Sequence, residues 1–286
     1  MTLTANDRKL RGESRWGTAA LGIFTWAVSL LIFFPVFWMV LNSFKTELDA
    51  NTSPKLFFEP TLDRWQEATA TVPGLLSFDE AFFNSFVIVI VSTILVIVLA
   101  VPAAYALSIY PIKAWRDALF FFISTKFLPI VAAILPLWII ARELDVLNTK
   151  LVLVILYTAM NLPLAIWMLR SFFGEVPREL IEAAQMDGTG LYGQLKDVML
   201  PIVAPGLAAT ALLCFIFAWN EYFLAVQLNP VENSTVPVWV STNVTTRGNF
   251  MAKLSAASTL AIIPVVIAGW IAQKRMIRGL SMGAVK

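Results

Sequence analysis

Six apolar runs, near residues 20–42, 84–109, 118–140, 149–169, 202–225 and 254–272, dominate this chain. Each approaches the roughly 20 residues a helix needs to cross a hydrocarbon core of about 30 Å. None alternates polar with apolar positions as a barrel strand would. In lipid a backbone must satisfy its own hydrogen bonds, so helices follow. The expectation is an all-α fold: a polytopic membrane helix bundle of six transmembrane helices, one domain over 1–286. Composition agrees, with 58% of the 286 residues hydrophobic and 14% charged, against about a quarter charged in a soluble domain.

The 21 Lys and Arg nearly balance the 19 Asp and Glu, which argues against a nucleic-acid surface. There is no histidine, and the single cysteine, Cys214, lies inside an apolar run. Zinc sites, Cys/His nucleophiles, histidine proton relays and an internal disulfide are thereby removed. The sequence has no Gly-x4-Gly-Lys-Ser/Thr phosphate loop, so the chain should not hydrolyse ATP by itself. An intramembrane enzyme would need a nucleophile with a base, or a metal; neither pattern is present.

Basic residues in short loops set orientation. Lys45, Lys55, Arg64, Arg142, Lys150, Arg247 and Lys253 fall on one side, Lys126 lies inside a span, and all other Lys and Arg share the side of both termini. N- and C-termini are therefore expected to be cytoplasmic, with cytoplasmic segments at 1–19, 171–200 and 273–286. The first run is too long for a signal peptide and lacks a small-residue cleavage site, so it reads as a retained span. Residues 43–83 and 227–253 become long outer loops.

The 171–200 loop looks folded. From Pro177 it reads Pro-Arg-Glu-Leu-Ile-Glu-Ala-Ala-Gln-Met-Asp-Gly. Proline suits a first helical turn, Glu179 complements its positive end, and Gly188 is a natural left-handed stop. A second segment from Leu191 to Leu200 ends at Pro201, where the fifth span begins. Ala183 and Ala184 beside Glu182 leave little bulk on one face, so another protein could approach the backbone closely. A plain surface helix joining two spans is the other reading.

Glu182-Ala183-Ala184, three residues, Gly188, nine residues, Val198, one residue and Leu200-Pro201 resemble the signature loop of ABC-importer permeases, with valine where isoleucine is usual. The tail from Lys274 to Lys286 and Trp219-Asn220-Glu221 are similar to the maltose-type carbohydrate-uptake group. Ser124-Thr125-Lys126-Phe127 and the stretch Ala252 to Leu260 resemble most the permeases for sugar alcohols such as mannitol and sorbitol.

The resemblance implies a bacterial plasma (inner) membrane subunit that pairs with a second permease subunit, two ATP-binding subunits and an extracytoplasmic solute-binding protein. ATP and Mg2+ would be bound by those partners, and this chain would hold no cofactor. The helix in the 171–200 loop would be a coupling helix between helices four and five, docked in an ATPase cleft. Its coupling residues would be Glu182, Ala183, Ala184, Asp187, Gly188, Leu200 and Pro201. The tail from Gly279 would reach toward the ATPases, and 227–253 would probe the binding protein. The solute would be a sugar or polyol, with a mono- or oligosaccharide as the alternative and an ion-coupled secondary transporter as a more distant one.

A charge within a span marks a functional site by default. Lys126 lies roughly 12 to 18 Å above the inner surface at helical rise, and Asn161 reaches a similar depth, so the two could meet near the midplane. Glu221 lies close to the outer rim, which makes a direct Lys126–Glu221 pair unexpected unless Pro129 or Pro136 breaks the third span. A polyhydroxylated solute calls for amides, carboxylates and aromatic rings. Lys126, Asn161, Trp219, Asn220 and Glu221, with Tyr157 and Tyr222, are the candidates; interhelical packing is the alternative role for each.

Overall fold

The computed structural model describes residues 15–52, 54–70, 76–110, 112–127, 129–230, 233–242 and 250–283, except for the side chains of 15, 16 and 274–283. Among them the chain is helical. Five helices are each long and apolar enough to cross a bilayer, and a bent pair, Trp115–Phe127 with Ile130–Glu143, makes a sixth if it counts as one span.

In chain order the helices are α1 (Arg15–Asn42), α2 (Glu47–Thr52), α3 (Asp63–Thr69), α4 (Phe78–Ile109), α5 (Trp115–Ser124), α6 (Ile130–Glu143), α7 (Lys150–Gly174) and α8 (Arg178–Met186). A continuous α9 (Leu191–Trp219) follows, and then α10 (Phe223–Leu228), α11 (Val236–Thr242) and α12 (Met251–Gly283).

The bundle is organised by α4 against α7. On α7 every fourth residue is buried, from Leu153 through Tyr157, Asn161, Ala165 and Leu169 to Phe173, a helical face of period 3.6. α4 packs along it and buries Ile88, Val89, Ser92, Val96, Ala100 and Ala104. Small residues let two backbones approach where lipid gives no hydrophobic drive for helices to associate. α4 also starts on a capping box: Glu80 N–H donates to Ser77 Oγ at 3.3 Å, and Ser77 N–H donates to the Glu80 carboxylate at 2.9 Å.

Two apolar clusters stack along this axis. One, at the end carrying α8, gathers Val96, Ala100, Leu169, Phe173, Ile181, Met199 and Val203; the other, at the opposite end, gathers Ile88, Val89, Leu153, Phe215, Trp219 and Leu224. A buried polar band of Ser92, Thr158, Asn161 and Thr210 lies where they meet. α9 crosses both clusters and comes close to α7 at Gly206, where a Cβ would run into the Phe172 ring.

Several expectations are revised. The third span, read as a run over 118–140 that Pro129 or Pro136 could break, bends by 89° between Phe127 and Ile130. Pro129 stands at the N-cap of α6 and starts it, while Pro136 is accommodated inside. Pro201 does not end a segment: α9 runs through it by way of a π-helical stretch, Gln194–Met199. Proline has no N–H to give the carbonyl four residues back, and Leu200 N–H bonds the Leu195 carbonyl instead, the wider π spacing. The fifth span ends at Trp219 rather than running on to 225. The described parts of 43–83 and 227–253 carry short helices, with Val236, Val238 and Trp239 of α11 buried.

Two contacts tie down the segment after α1. Glu47 on α2 accepts the Ala252 and Lys253 N–H groups at 3.1 and 2.8 Å, satisfying free donors at the start of α12. Lys45 is fully buried, its Nζ 4.4 Å from the Trp38 ring centre and 5.3 Å from that of Phe58. Burial pulls this ammonium below the ordinary lysine value, partly offset by Asp49. By contrast, the apolar window of α1 buries no residue, and within the chain α1 packs mainly against α12.

Gly206→Leu should prevent the close α7–α9 approach and cost at least the 1–3 kcal/mol of an overpacked core. The expected outcome is a lower yield of monodisperse protein, partly restored in Gly206→Leu/Phe172→Ala. An unchanged yield and melting temperature for the single variant would contradict the packing described.

Candidate functional site

The helix of the 171–200 loop forms as its residues predict, with one shift: Pro177 is the N-cap rather than a first-turn residue, and Glu179 sits in the first turn. Its end is a Schellman arrangement. Gly188 takes φ +75°, its N–H bonds the Gln185 carbonyl at 3.0 Å, and the Thr189 N–H reaches back to the Ala184 carbonyl at 2.9 Å. Only a residue without Cβ adopts that φ freely.

The two alanines divide between faces. Ala184 and Ile181 are buried, whereas Glu182, Ala183, Asp187 and Gly188 are exposed. The open face therefore presents one alanine, not two, beside the Glu182 carboxylate. Large apolar side chains surround it: Met186 is 88% exposed, Tyr192 75% and Leu191 60%. Such a cluster at a polar surface is a candidate contact site for another protein or a membrane. Leu200 is half-buried and Pro201 exposed, both just past the π turn.

Residues that the sequence reading did not single out brace this loop. Gln194, in the π turn and 4% exposed, donates from Nε2 to the Thr189 carbonyl at 2.7 Å and accepts from the Tyr105 hydroxyl at 3.3 Å. Three residues further along α4, Ser108 Oγ donates to the Arg170 carbonyl at 3.1 Å. Both stems of the loop, the end of α7 and the start of α9, are thus held to one face of α4. A buried glutamine following a glycine-rich turn was the available signal, but its partner is 89 residues distant.

The break in the third span carries Lys126, on a 3-10 turn over Thr125–Phe127. Its Nζ donates to the Met160 carbonyl at 2.7 Å and lies 5.8 Å from the Phe217 ring centre. Asn161, the next residue along, is 1% exposed; its Nδ2 reaches the Cys214 carbonyl at 3.4 Å and its Oδ1 has no partner. Lys126 and Asn161 thus meet the same turn of α7 without bonding each other. Lys126 remains exposed on a surface formed by the bent helix and α9.

The third group serves packing and capping. Trp219 is buried, stacks on Phe215 at 5.7 Å and donates from Nε1 to the Ala261 carbonyl of α12 at 3.0 Å. The Glu221 carboxylate accepts the Leu224 and Ala225 N–H groups at 3.0 and 3.4 Å, capping α10, and its carbonyl accepts the Tyr157 hydroxyl at 3.3 Å. Asn220 is exposed with Nδ2 on the Ile216 carbonyl at 2.8 Å. No ion pair joins Glu221 to Lys126 among the described residues. Of the stretch Ala252 to Leu260, Ala252, Ala256 and Ala257 are fully buried, the latter two beside Ala68 and Trp239. The α12 backbone stays helical through Gly283; 284–286 lie outside the described residues.

Residues 97–281 match the family described as binding-protein-dependent transport system inner membrane component. The chain is 35% identical over 269 residues to sulfoquinovosyl glycerol transport system permease protein SmoH of Agrobacterium fabrum, covering 91% of this chain and 92% of that one. It is 31% identical over 261 residues to trehalose/maltose transport system permease protein MalG of Thermococcus litoralis, covering 91% and 93%. In fold it is similar to a chain of the crystal structure of a bacterial ABC transporter involved in the import of the acidic polysaccharide alginate, with a TM-score of 0.69 and 24% identity over 96% of this chain and 99% of that one.

Removing the Gln194 side chain takes away its bonds with the Tyr105 hydroxyl and the Thr189 carbonyl. At about 1 kcal/mol for each of the two buried hydrogen bonds, amide exchange over Ile181–Gly188 should speed up by about thirtyfold in Gln194→Leu. Tyr105→Phe should show the smaller half of that effect. Exchange identical to the parent in both would refute the bracing.

Proposed function

The chain belongs to the family of binding-protein-dependent transport system inner membrane components, and on that premise we propose that it moves a sugar or sugar alcohol inward by alternating access. It is a membrane permease subunit and not itself an enzyme; ATP hydrolysis resides in separate subunits of such transporters. Family membership replaces the ion-coupled alternative. The proposed assembly contains a second permease subunit, two ATP-binding subunits holding ATP and Mg2+, and an extracytoplasmic solute-binding protein. Both termini and α8 face the cytoplasm in this reading, which the basic residues on that side support.

The observation that carries the reading is the capped helix α8 with Glu182, Ala183 and Gly188 exposed and apolar side chains around them. We assign it as the coupling helix, seated in a cleft of an ATPase subunit. Movement of that cleft reaches α7 and α9 through the loop stems and α4 through Gln194 and Ser108. Transport then follows as a two-state rearrangement biased by contacts that differ between states. Asp187, Leu200 and Pro201 shape the ends of the coupling segment.

For the solute, the Ser124–Phe127 stretch supports a polyol, since Lys126 stands exposed at the break with donors to spare beyond its bond to the Met160 carbonyl. Asn161, on the same turn of α7, keeps an unbonded amide oxygen that is buried here and meets a solute only in a state where the helices part. The buried alanines of Ala252 to Leu260 lend no support to the polyol choice, because they pack rather than line a path. The glycosides named for the two relatives favour a second reading, a mono- or oligosaccharide. Trp219, Asn220 and Glu221 then act by setting the position of α9 and α10 at the outer end of the path.

Replacing Glu182 by Ala, or Gly188 by Val, in the assembled complex should abolish uptake while leaving the affinity of the binding protein for solute intact. Gly188→Val forces a β-branched residue to φ +75°, a genuine backbone outlier. Wild-type uptake by both variants would remove α8 from the coupling role. Solute-stimulated ATP hydrolysis in liposomes, compared between mannitol or sorbitol and disaccharides, decides the substrate: stimulation by disaccharides alone overturns the polyol reading.

A further inference from the structure

Near the loop-helix end, outside the surfaces assigned above, two guanidinium groups share one indole. Arg170, near the end of α7, lies face-on to Trp115 with its Cζ 3.7 Å from the ring centre, and Arg116 approaches the same ring at 5.2 Å. Arg170 Nε is closed off from solvent and has no hydrogen-bond acceptor. Neither arginine forms an ion pair among the described residues, although Asp117 follows in the first turn of α5. The bond from Ser108 uses the Arg170 carbonyl and leaves its guanidinium free. Lys113 adds a further exposed cation in the turn before α5.

Gathering like charges around one ring costs energy unless an anion lies between them. The indole supplies a cation–π contact and a flat support, and leaves the edges of the guanidinium forks for an acceptor. Immediately along α5, Phe120 and Phe121 are 76% and 64% exposed. A tryptophan and a ring of cations directly beside an exposed apolar helix face is the composition of the bilayer interface, at headgroup depth. An ATPase carboxylate would instead be expected at the exposed face of α8, where Met186 and Tyr192 lie.

We propose that Trp115, Arg116 and Arg170 form a binding site for the phosphate of an anionic phospholipid in the leaflet at the loop-helix end. The phosphodiester accepts from both guanidinium groups, bidentately where the forks allow, and its acyl chains lie along Phe120 and Phe121. A phosphatidylcholine headgroup brings its own ammonium and is disfavoured beside two arginines, so phosphatidylglycerol or cardiolipin is the fitting class. The reading of the protein as an importer enters only in naming that leaflet cytoplasmic.

The test uses the full chain purified in detergent, with lipid retention read by native mass spectrometry against phosphatidylglycerol and phosphatidylcholine. The expected result is preferential retention of phosphatidylglycerol, reduced about tenfold in Arg116→Gln/Arg170→Gln, with phosphatidylcholine unchanged and millimolar inorganic phosphate unable to displace the lipid. Should the double variant not purify as a single species, Arg170→Lys decides: it keeps the stacked cation, loses the fork, and must retain less phosphatidylglycerol than the parent. Equal retention in parent and variant, or no preference between the two lipids, overturns the site. Because lipid retention is measured on the chain alone, its failure leaves the transport reading standing, and the converse holds.

Discussion

Packing of α4 against α7 is the contact on which the other elements depend. A bilayer offers no hydrophobic reward for bringing two apolar helices together, so shape and hydrogen bonds must hold them. Here the every-fourth-residue face from Leu153 to Phe173 meets serines and alanines on α4. Remaining elements refer back to that pair: α9 lies against both, the bent third span rests on α7 through Lys126, and the loop helix hangs between the ends of α7 and α9.

Polar groups fall at chosen depths rather than being scattered. The band of Ser92, Thr158, Asn161 and Thr210 separates two apolar clusters, and the break carrying Lys126 opens at the same level. Hydrogen bonds to main-chain carbonyls, from Asn161 to Cys214 and from Lys126 to Met160, let these side chains exist there without opposite charges. The arrangement leaves the Asn161 amide oxygen buried without a partner, while the Lys126 ammonium stays exposed.

Helix existence was legible because hydrophobic length is a one-dimensional property. The run at 84–109 falls within α4, that at 149–169 begins on the N-cap of α7 and otherwise lies within it, and the capped loop helix is readable from Pro177, Glu179 and Gly188. Azimuth was not legible. Trp219, Glu221 and Asn161 have similar prospects on a depth scale, yet Trp219 turns into the core, Glu221 turns back on its own chain to cap α10, and Asn161 keeps an oxygen unbonded. The division of Ala183 from Ala184 is a matter of the same 100° step. Likewise Pro201 reads as a stop, since the sequence does not announce the π turn that carries the helix through it, in which Gln194 meets Tyr105 from 89 residues away. Pro129 was readable as a possible break; the 89° bend follows from what packs on either side.

The bareness of α1 bears on how the protein is made. Its apolar window buries nothing, and its principal neighbour within the chain is α12, more than 200 residues later in the order of synthesis. α1 is therefore made well before its principal neighbour within the chain, and it stands in lipid without that neighbour until α12 follows. During that interval a chaperoning insertase, or a span from another polypeptide, has first access to its surface.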